Sequence, residues 1–199
     1  MKCQTTNAPA LRHHRYLLMR HGHSQANAAD LIISHPDLGR DAYGLSPTGQ
    51  AQLDALLADW GWPIPDRILH SDFLRTTQTA TRIARRFGVE TTPEPCLRER
   101  HFGDMDGGSA EGYGEVWVRD AESPDHQAWG VESVTAVAGR MCSVIERLEH
   151  SRPAETILLV SHGDPLQILL TALEGKPLNR HRDRPPLAPA SITPVEPDA

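Results

Sequence analysis

The stretch that decides the fold runs from Tyr16 to Asn27 and reads YLLMRHGHSQAN. Its first four residues are bulky and apolar with no alternation, which predicts a short strand that is buried on both faces. The polar residues that follow therefore lie at the carboxyl end of a strand, where open α/β sheets bind their ligands. Arg20 is always charged, His21 can act as a neutral nucleophile, and Gly22 lets a ligand approach the backbone closely. Together these residues suit the binding of a phosphate group.

A second apolar strand is followed by a similar polar segment. Residues 156–160 read TILLV, and the tripeptide SHG follows at 161–163. Asp164 is the predicted N-cap of the next helix. If the two strands are parallel neighbours, His21 and His162 meet at one edge of the sheet, close to the positive end of that helix. The sequence therefore predicts that the two His-Gly pairs converge on one site.

These two segments resemble the two signatures of the histidine phosphatase superfamily, the group with the phosphoglycerate-mutase-like fold. One tripeptide, RHG at 20–22, follows a first strand, and the other, SHG at 161–163, follows a late one. The resemblance extends from about Tyr16 to about Leu173. It implies a three-layer α/β/α sandwich with a mainly parallel central sheet. The alternation of apolar strands with helical patterns along the chain favours the same fold class.

Two further segments between the signatures resemble family motifs. Residues 71–80 read SDFLRTTQTA, which is similar to the family's Ser-x-x-x-Arg-x-x-x-Thr-Ala helix start. Position also places Arg75 in the first turn of a helix after a strand, although an exposed helix arginine is the alternative. Residues 97–107 resemble the acid-bearing loop, with Glu99 at the acid position, although a surface pair between Glu99 and a neighbouring arginine is the alternative. Two rival acids follow in this loop, Asp104 and Asp106.

The resemblance implies a role for each member of the site. His21 is the nucleophile, and Glu99 is the general acid, because an alkoxide that leaves phosphorus must be protonated. His23 stands where relatives often carry Glu or Gln, so we leave it out of the predicted site. Arg20, Arg75 and His162 also act in catalysis, because they stabilise the phosphoryl group during its transfer. The implied phosphate-binding residues are Arg20, Asn27, Arg75, His162 and Gly163.

Composition limits the class of protein further. The 199 residues include 20 Lys and Arg against 26 Asp and Glu, and the net charge of −6 disfavours a nucleic-acid or anionic membrane partner. We expect a single domain over 1–199, with a loose arm at 1–15 and a proline-rich tail at 177–199. No apolar run approaches membrane-spanning length, and residues 1–15 lack the apolar centre of a signal peptide. A cytoplasmic protein is therefore expected.

Cysteine and histidine usage indicates neither a disulfide nor a metal centre. The three cysteines are odd in number and widely spaced, which predicts free thiols in a reducing compartment. The histidine pairs at 13–14 and at 21 and 23 lack companion ligands at metal-binding spacing. We therefore predict no metal and no cofactor.

The segment 103–132 is predicted to form a loop-rich lid over the site. It contains eight Asp and Glu residues against one Arg, Arg119, and no Lys. Such a lid would favour monophosphates whose remainder is neutral or modestly charged. Two basic segments, at 13–15 and 180–182, remain alternatives that could fold over the site and restore positive charge.

The sequence thus predicts a phosphomonoesterase that hydrolyses a small phosphorylated metabolite through a phosphohistidine. One alternative is a phosphoglycerate mutase that uses the same phosphohistidine, and another is a catalytically silent binding or scaffold member of the family. The identity of the substrate, the attacking nitrogen of His21 and the choice between a monomer and a homodimer are left open.

Overall fold

The computed structural model describes residues 12–150 and 153–198, and its centre is a five-stranded sheet. The strand order is β3-β2-β4-β1-β5, in which the first four strands are parallel and β5 runs antiparallel to β1. The sequence prediction of a mainly parallel sheet is therefore confirmed. The strands are β1 (Arg15–Arg20), β2 (Arg67–His70), β3 (Thr91–Pro93), β4 (Thr156–Ser161) and β5 (Ile192–Val195).

Helices connect the strands, and local sequence signals set several of their ends. The Ser46 hydroxyl accepts a hydrogen bond from the Gly49 N–H and caps α3. Gly88 ends α4 with a φ of 70°, a left-handed conformation that favours glycine. The helices are α1 (Gln25–Ala28), α2 (Pro36–Gly39), α3 (Pro47–Ala58), α4 (Leu74–Phe87), α5 (Gly112–Glu122), α6 (Val134–Leu148) and α7 (Gly163–Leu173).

The predicted N-cap of α7 is wrong by two positions. His162 occupies the N-cap, and Asp164 lies within the first turn. The Asp164 carboxylate is directed to Arg100 and Arg182 rather than to the helix backbone. Its role is therefore in a side-chain network beside the site.

Two apolar clusters cover the two faces of the sheet, and β1 contributes alternate residues to each. Tyr16 and Leu18 pack with the apolar faces of α6 and α7. Leu17 and Met19 pack with side chains of α3 and α4. This alternation places one helical layer on each side of the strands. The predicted three-layer α/β/α sandwich is confirmed.

The two ends of the described chain meet along β1. Arg12 donates hydrogen bonds to Asp198, and Arg15 pairs with Glu196, so these residues of the predicted arm are held, while residues 1–11 lie outside the described part of the chain. In the proline-rich tail, β5 continues through Pro194. An edge strand tolerates proline because it needs ladder hydrogen bonds on one side only.

A search of the described residues for a helix of sufficient length and apolar character to cross a membrane found none.

Candidate active site

The carboxyl ends of two neighbouring strands bring the two histidines together. Arg20 ends β1 and pairs in register with Ser161, which ends β4. His21 and His162 follow these residues, and the centroids of their rings lie 5.2 Å apart. Adjacent parallel strands end at the same edge of a sheet, so both His-Gly pairs lie at this edge.

The hydrogen bonds of His21 define which ring nitrogen carries the proton. Nδ1 lies 2.7 Å from the carbonyl oxygen of Gly22, which can only accept, so we assign the proton to Nδ1. Nε2 accepts a hydrogen bond of 3.2 Å from Nε of Arg75 and therefore presents a lone pair. Burial, followed by the charges of Arg75 and Arg20, holds the pKa of His21 well below its ordinary value. The ring is thus neutral, with Nε2 as its nucleophilic atom.

Two guanidinium groups lie near the His21 ring, that of Arg75, which is buried, and that of Arg20, which is half-buried. Arg75, in the first turn of α4, donates to His21, to Nδ1 of His162 at 3.2 Å and to the carbonyl of Ile33 at 3.0 Å. Arg20 donates to the carbonyl of Leu187 at 2.6 Å. Among the described residues, Nη1 of Arg75 and Nε of Arg20 are buried without a hydrogen-bond partner. Buried cationic donors that lack a partner in the protein indicate a site for an anion.

Glu99 lies close to these groups and is only about one-tenth exposed. Its Oε1 accepts from the backbone N–H of Arg100 at 3.0 Å. Its Oε2 lies 3.7 Å from Nδ1 of His162 and 3.8 Å from Nη2 of Arg75. Burial raises the pKa of Glu99 to about 7, although the charge of Arg75 opposes this rise. A carboxyl group that is partly protonated at neutral pH suits a group that both donates and accepts protons.

The alternative partners of Glu99 and the rival acids have other contacts. Arg98 pairs with Asp72. It therefore does not form the alternative surface pair with Glu99. Asp104 is exposed. Asp106 accepts hydrogen bonds from the backbone N–H and the hydroxyl of Ser34. Neither rival acid lines the cavity over His21.

The other predicted residues differ in how directly they face this cavity. His162 is fully buried beneath Arg75, and its Nε2 lies 2.9 Å from the Ser71 hydroxyl. Asn27 and Gly163 line the cavity. His23 lies outside it, with its ring bonded to a serine hydroxyl at 2.8 Å. The structure thus brings Arg20, His21, Arg75, Glu99, Asn27 and Gly163 around one cavity and places His162 behind it.

The cavity has a volume of about 320 Å³, and part of its wall comes from segments that the sequence analysis did not assign to the site. α5 contributes Tyr113 and Trp117, whose spacing of four residues on a helix was the available signal. α7 contributes Gln167, and the tail contributes Arg182 and Leu187. Of the two basic segments that could cover the site, the one at 180–182 contributes Arg182 to the cavity wall, and the one at 13–15 contributes no residue.

The acids of the segment 103–132 do not face the cavity, so the expectation of an acidic lid is wrong. None of the eight lines it. Asp120 is buried against Arg100, with its two oxygens 2.7 and 2.8 Å from the guanidinium, and Glu132 pairs with Arg140. The carboxylates of Asp120 and Glu132 are thus paired with arginines of the protein, and these pairs hold α5 and its neighbours in place.

Within the described part of the chain, one group of possible metal ligands lies outside this cavity. Ligand atoms of His13, His14 and Glu149 lie within 4.8 Å of one another. Both ring nitrogens of His14 have other partners, the carbonyl of Leu148 at 3.0 Å and the backbone N–H of Glu155 at 2.9 Å. This arrangement favours a hydrogen-bonded structural role for the group.

Comparison with known proteins identifies the family. A model of the histidine phosphatase superfamily (branch 1) matches residues 16–199. The chain therefore belongs to this superfamily, and the family predicted from its two signatures is confirmed. Several of its relatives are named phosphatases, and this similarity supports the assignment of the chain as an enzyme that hydrolyses phosphomonoesters.

Two relatives and one solved structure, named as phosphatases or as a probable mutase, are similar to this chain. The glucosyl-3-phosphoglycerate phosphatase of Mycobacterium tuberculosis is 28% identical over an alignment that covers 84% of this chain and 78% of the relative. The "Probable phosphoglycerate mutase GpmB" of Photorhabdus laumondii is 31% identical, with 83% and 77% covered. A solved mycobacterial glucosyl-3-phosphoglycerate phosphatase in complex with VO3 superposes with a TM-score of 0.77 at 26% identity and covers 91% of this chain and 90% of its own.

Proposed function

We propose that this enzyme hydrolyses a small phosphorylated metabolite in two steps through a phosphohistidine on Nε2 of His21. In the first step, the Nε2 lone pair attacks phosphorus in line with the ester bond, which breaks. Glu99 in its protonated form gives its proton to the leaving oxygen and becomes a carboxylate. Arg20 and Arg75 bind the equatorial oxygens through donors that the protein leaves free, so that the developing charge meets groups already in position.

The second step returns every group to its starting state. The Glu99 carboxylate takes a proton from water, and the water oxygen attacks phosphorus. The bond between phosphorus and Nε2 breaks, and its electron pair returns to the imidazole. The Gly22 carbonyl accepts from Nδ1 throughout, which stabilises the positive ring of the intermediate. Inorganic phosphate then leaves a site that is ready for another substrate.

The observation that carries this proposal is the environment of His21. Its ring is held neutral, its Nδ1 proton is committed to a carbonyl, and its Nε2 lies beside two cationic groups with free donors. A purely structural histidine does not need this arrangement. The same observation disfavours the catalytically silent member of the family.

A phosphoglycerate mutase is the second candidate, and one observation favours it. Arg182 adds a third guanidinium group to the cavity, beside those of Arg20 and Arg75. A mutase must retain a doubly phosphorylated intermediate, which needs cationic side chains beyond those that bind one phosphate. Hydrolysis remains the proposal, because Arg182 carries a single positive charge, which does not balance a second phosphate dianion.

The two candidates are separated by supplying 3-phosphoglycerate with a trace of the bisphosphate. We expect free phosphate to appear much faster than 2-phosphoglycerate. Isomer that forms much faster than phosphate would overturn the assignment as a phosphatase. A cytoplasmic location, a small-molecule partner and the choice between a monomer and a homodimer stay predictions from the sequence.

A further inference from the structure

Four residues that α5, α7 and the tail contribute to the cavity form a surface that we call the far wall: Tyr113, Trp117, Gln167 and Arg182. The guanidinium carbon of Arg182 lies 3.6 Å from the centroid of the Trp117 ring. The Tyr113 ring stacks on Trp117 with centroids 5.4 Å apart and planes within 7°. Cation–π and stacking contacts of this kind hold a guanidinium in a fixed orientation.

The amide and carbonyl acceptors on and beside the far wall are already used by the protein. The Gln167 side-chain oxygen accepts from Nη1 of Arg182, and the Leu187 carbonyl accepts from Arg20. The Asn27 side-chain oxygen accepts from the backbone N–H and the hydroxyl of Ser24. A substrate that approaches this surface therefore finds few free acceptors.

Donors, by contrast, remain free. Nε1 of Trp117 is buried and has no hydrogen-bond partner among the described residues. Within the same part of the chain, the hydrogen bonds of Arg182 all use Nη1, which leaves Nε and Nη2 unused. A surface that offers donors and positive charge recognises an anionic acceptor such as a carboxylate, and it disfavours an ammonium group.

Asp164 offsets only part of the charge of Arg182, because two other side chains share its carboxylate. Its Oδ2 lies 3.2 Å from Arg100, and its Oδ1 lies 3.5 Å from His181 and 3.4 Å from Arg182. The carboxylate thus contacts two guanidinium groups and one histidine ring. Arg100 is fully buried between Asp164 and Asp120, so this network joins α5, α7 and the tail and fixes the position of Arg182.

We infer that Arg182 is a specificity-determining residue that binds a carboxylate of the substrate, together with Nε1 of Trp117. The substrate class is then a small monophosphate ester that also carries a carboxylate. This inference rests on the proposed phosphatase function and adds the chemical nature of the group beyond the phosphate. The cavity volume of about 320 Å³ fits a compact ester of this kind.

The test compares phosphate release from 3-phosphoglycerate and glycerol 3-phosphate, which differ by a carboxylate against a hydroxymethyl group. We expect the wild-type enzyme to prefer 3-phosphoglycerate. Arg182→Met should raise KM for 3-phosphoglycerate about 10- to 100-fold, as the loss of a charge-assisted contact predicts, with kcat changed less than about threefold. KM for glycerol 3-phosphate should change less than about threefold.

Three further variants complete the design. Arg182→Lys should recover part of the loss, and Trp117→Phe, which keeps a ring for stacking, should raise KM several-fold for 3-phosphoglycerate alone. Arg180→Met is the matched control, because its guanidinium is largely exposed and pairs with Asp183 outside the cavity. This control should match wild type on both substrates.

The outcomes separate the inference from the function that it assumes. Equal KM changes on both substrates, no change on either, or a wild-type preference for glycerol 3-phosphate would each overturn the role of Arg182. If the wild-type enzyme released no phosphate from these two substrates and none from any other monophosphate, the proposed function would be overturned instead. If Arg182→Met lowered the melting temperature and also lowered phosphate release from both substrates, Arg182 would have a structural role.

Discussion

The two ends of the active-site cavity are built in different ways. The phosphate end, formed by Arg20, His21, Arg75 and Glu99, depends on strand ends and on the helix and loop that follow β2 and β3. The far wall depends on α5, α7 and the tail, which meet through the buried network around Arg100. One end therefore belongs to the sheet, and the other belongs to segments that pack over it.

This difference divides chemistry from selectivity. Groups that transfer the phosphoryl must be held rigidly, and the carboxyl edge of a buried sheet provides this. Groups that recognise the rest of the substrate can change with the segments that carry them without disturbing the transfer step. We expect substitutions at the phosphate end to lower turnover of every substrate and substitutions on the far wall to affect some substrates only.

The largest effect is expected at the nucleophile. His21→Ala should reduce phosphate release from all substrates by at least about 1000-fold, because no other group can form the intermediate. The fold should be retained, since the side chain lies at a strand end rather than in an apolar cluster. His23→Ala is the matched control, because this neighbouring ring lies outside the cavity. Residual turnover within about tenfold of wild type would contradict the assignment.

Arg75 should rank second. Arg75→Met removes the donor that contacts both histidines, and kcat/KM should fall about 100- to 1000-fold on carboxylated and neutral substrates alike. The control is Arg85→Met, an exposed arginine near the end of the same helix, which should behave as wild type. A loss that depends on the substrate's remainder would move Arg75 from the phosphate end to the far wall.

Glu99→Gln should lower turnover about 100-fold for alkyl phosphates and least for an activated aryl phosphate, whose departure needs little protonation. Asp104→Asn, at the exposed rival acid, should leave both rates within about twofold. Equal losses on both kinds of substrate in Glu99→Gln would show that Glu99 is not the acid.

The pH dependence sharpens the same point. The first step needs Glu99 protonated, and burial raises its pKa to about 7, so kcat/KM should fall as the pH rises through this value. Because the pKa of His21 is held well below its ordinary value, the nucleophile remains neutral across this range. The alkaline fall should be absent in Glu99→Gln. A profile that keeps this fall in the variant would assign it to another group.

The smallest effect is expected at Asp106, which holds the backbone at Ser34 and His35 but does not line the cavity. Asp106→Asn weakens charge-assisted hydrogen bonds to Ser34 and His35 and should cost about 1 kcal/mol of stability. The melting temperature should fall about 2–4 °C. Activity should stay within about twofold of wild type, with the alkaline fall intact. Loss of that fall would make Asp106 the acid.

The fold was predictable from the sequence, and so was the gathering of Arg20, His21, Arg75 and Glu99 around one cavity, because both depend on local patterns. Two apolar runs that end in His-Gly specify two buried parallel strands, and the edge where they end follows from topology. The attacking nitrogen was not predictable, because it depends on a hydrogen bond to the Gly22 carbonyl that only the folded backbone defines.

The sequence offered the segment 180–182 only as an alternative cover for the site, and the contacts of the far wall could not be predicted for a different physical reason. Trp117 and Arg182 meet through contacts between segments that are distant in the chain, and no local pattern encodes such a contact. The acidic composition of 103–132 was misleading because a count of charges does not say which way they point. Asp120 illustrates this, since its carboxylate is fully buried against Arg100. Charge counts constrain a site only when the partners of each group are known.

The most direct test of the central claim is to trap the intermediate. The enzyme is mixed briefly with a radiolabelled phosphomonoester that it hydrolyses, quenched in alkali and digested, and the labelled peptide is sequenced by mass spectrometry. We predict label on His21 that survives base, is lost in mild acid and is absent from His21→Ala. Label on another residue, or label that persists in His21→Ala, would contradict the account. Steady hydrolysis by wild type with no labelled protein at any quench time would contradict it as well.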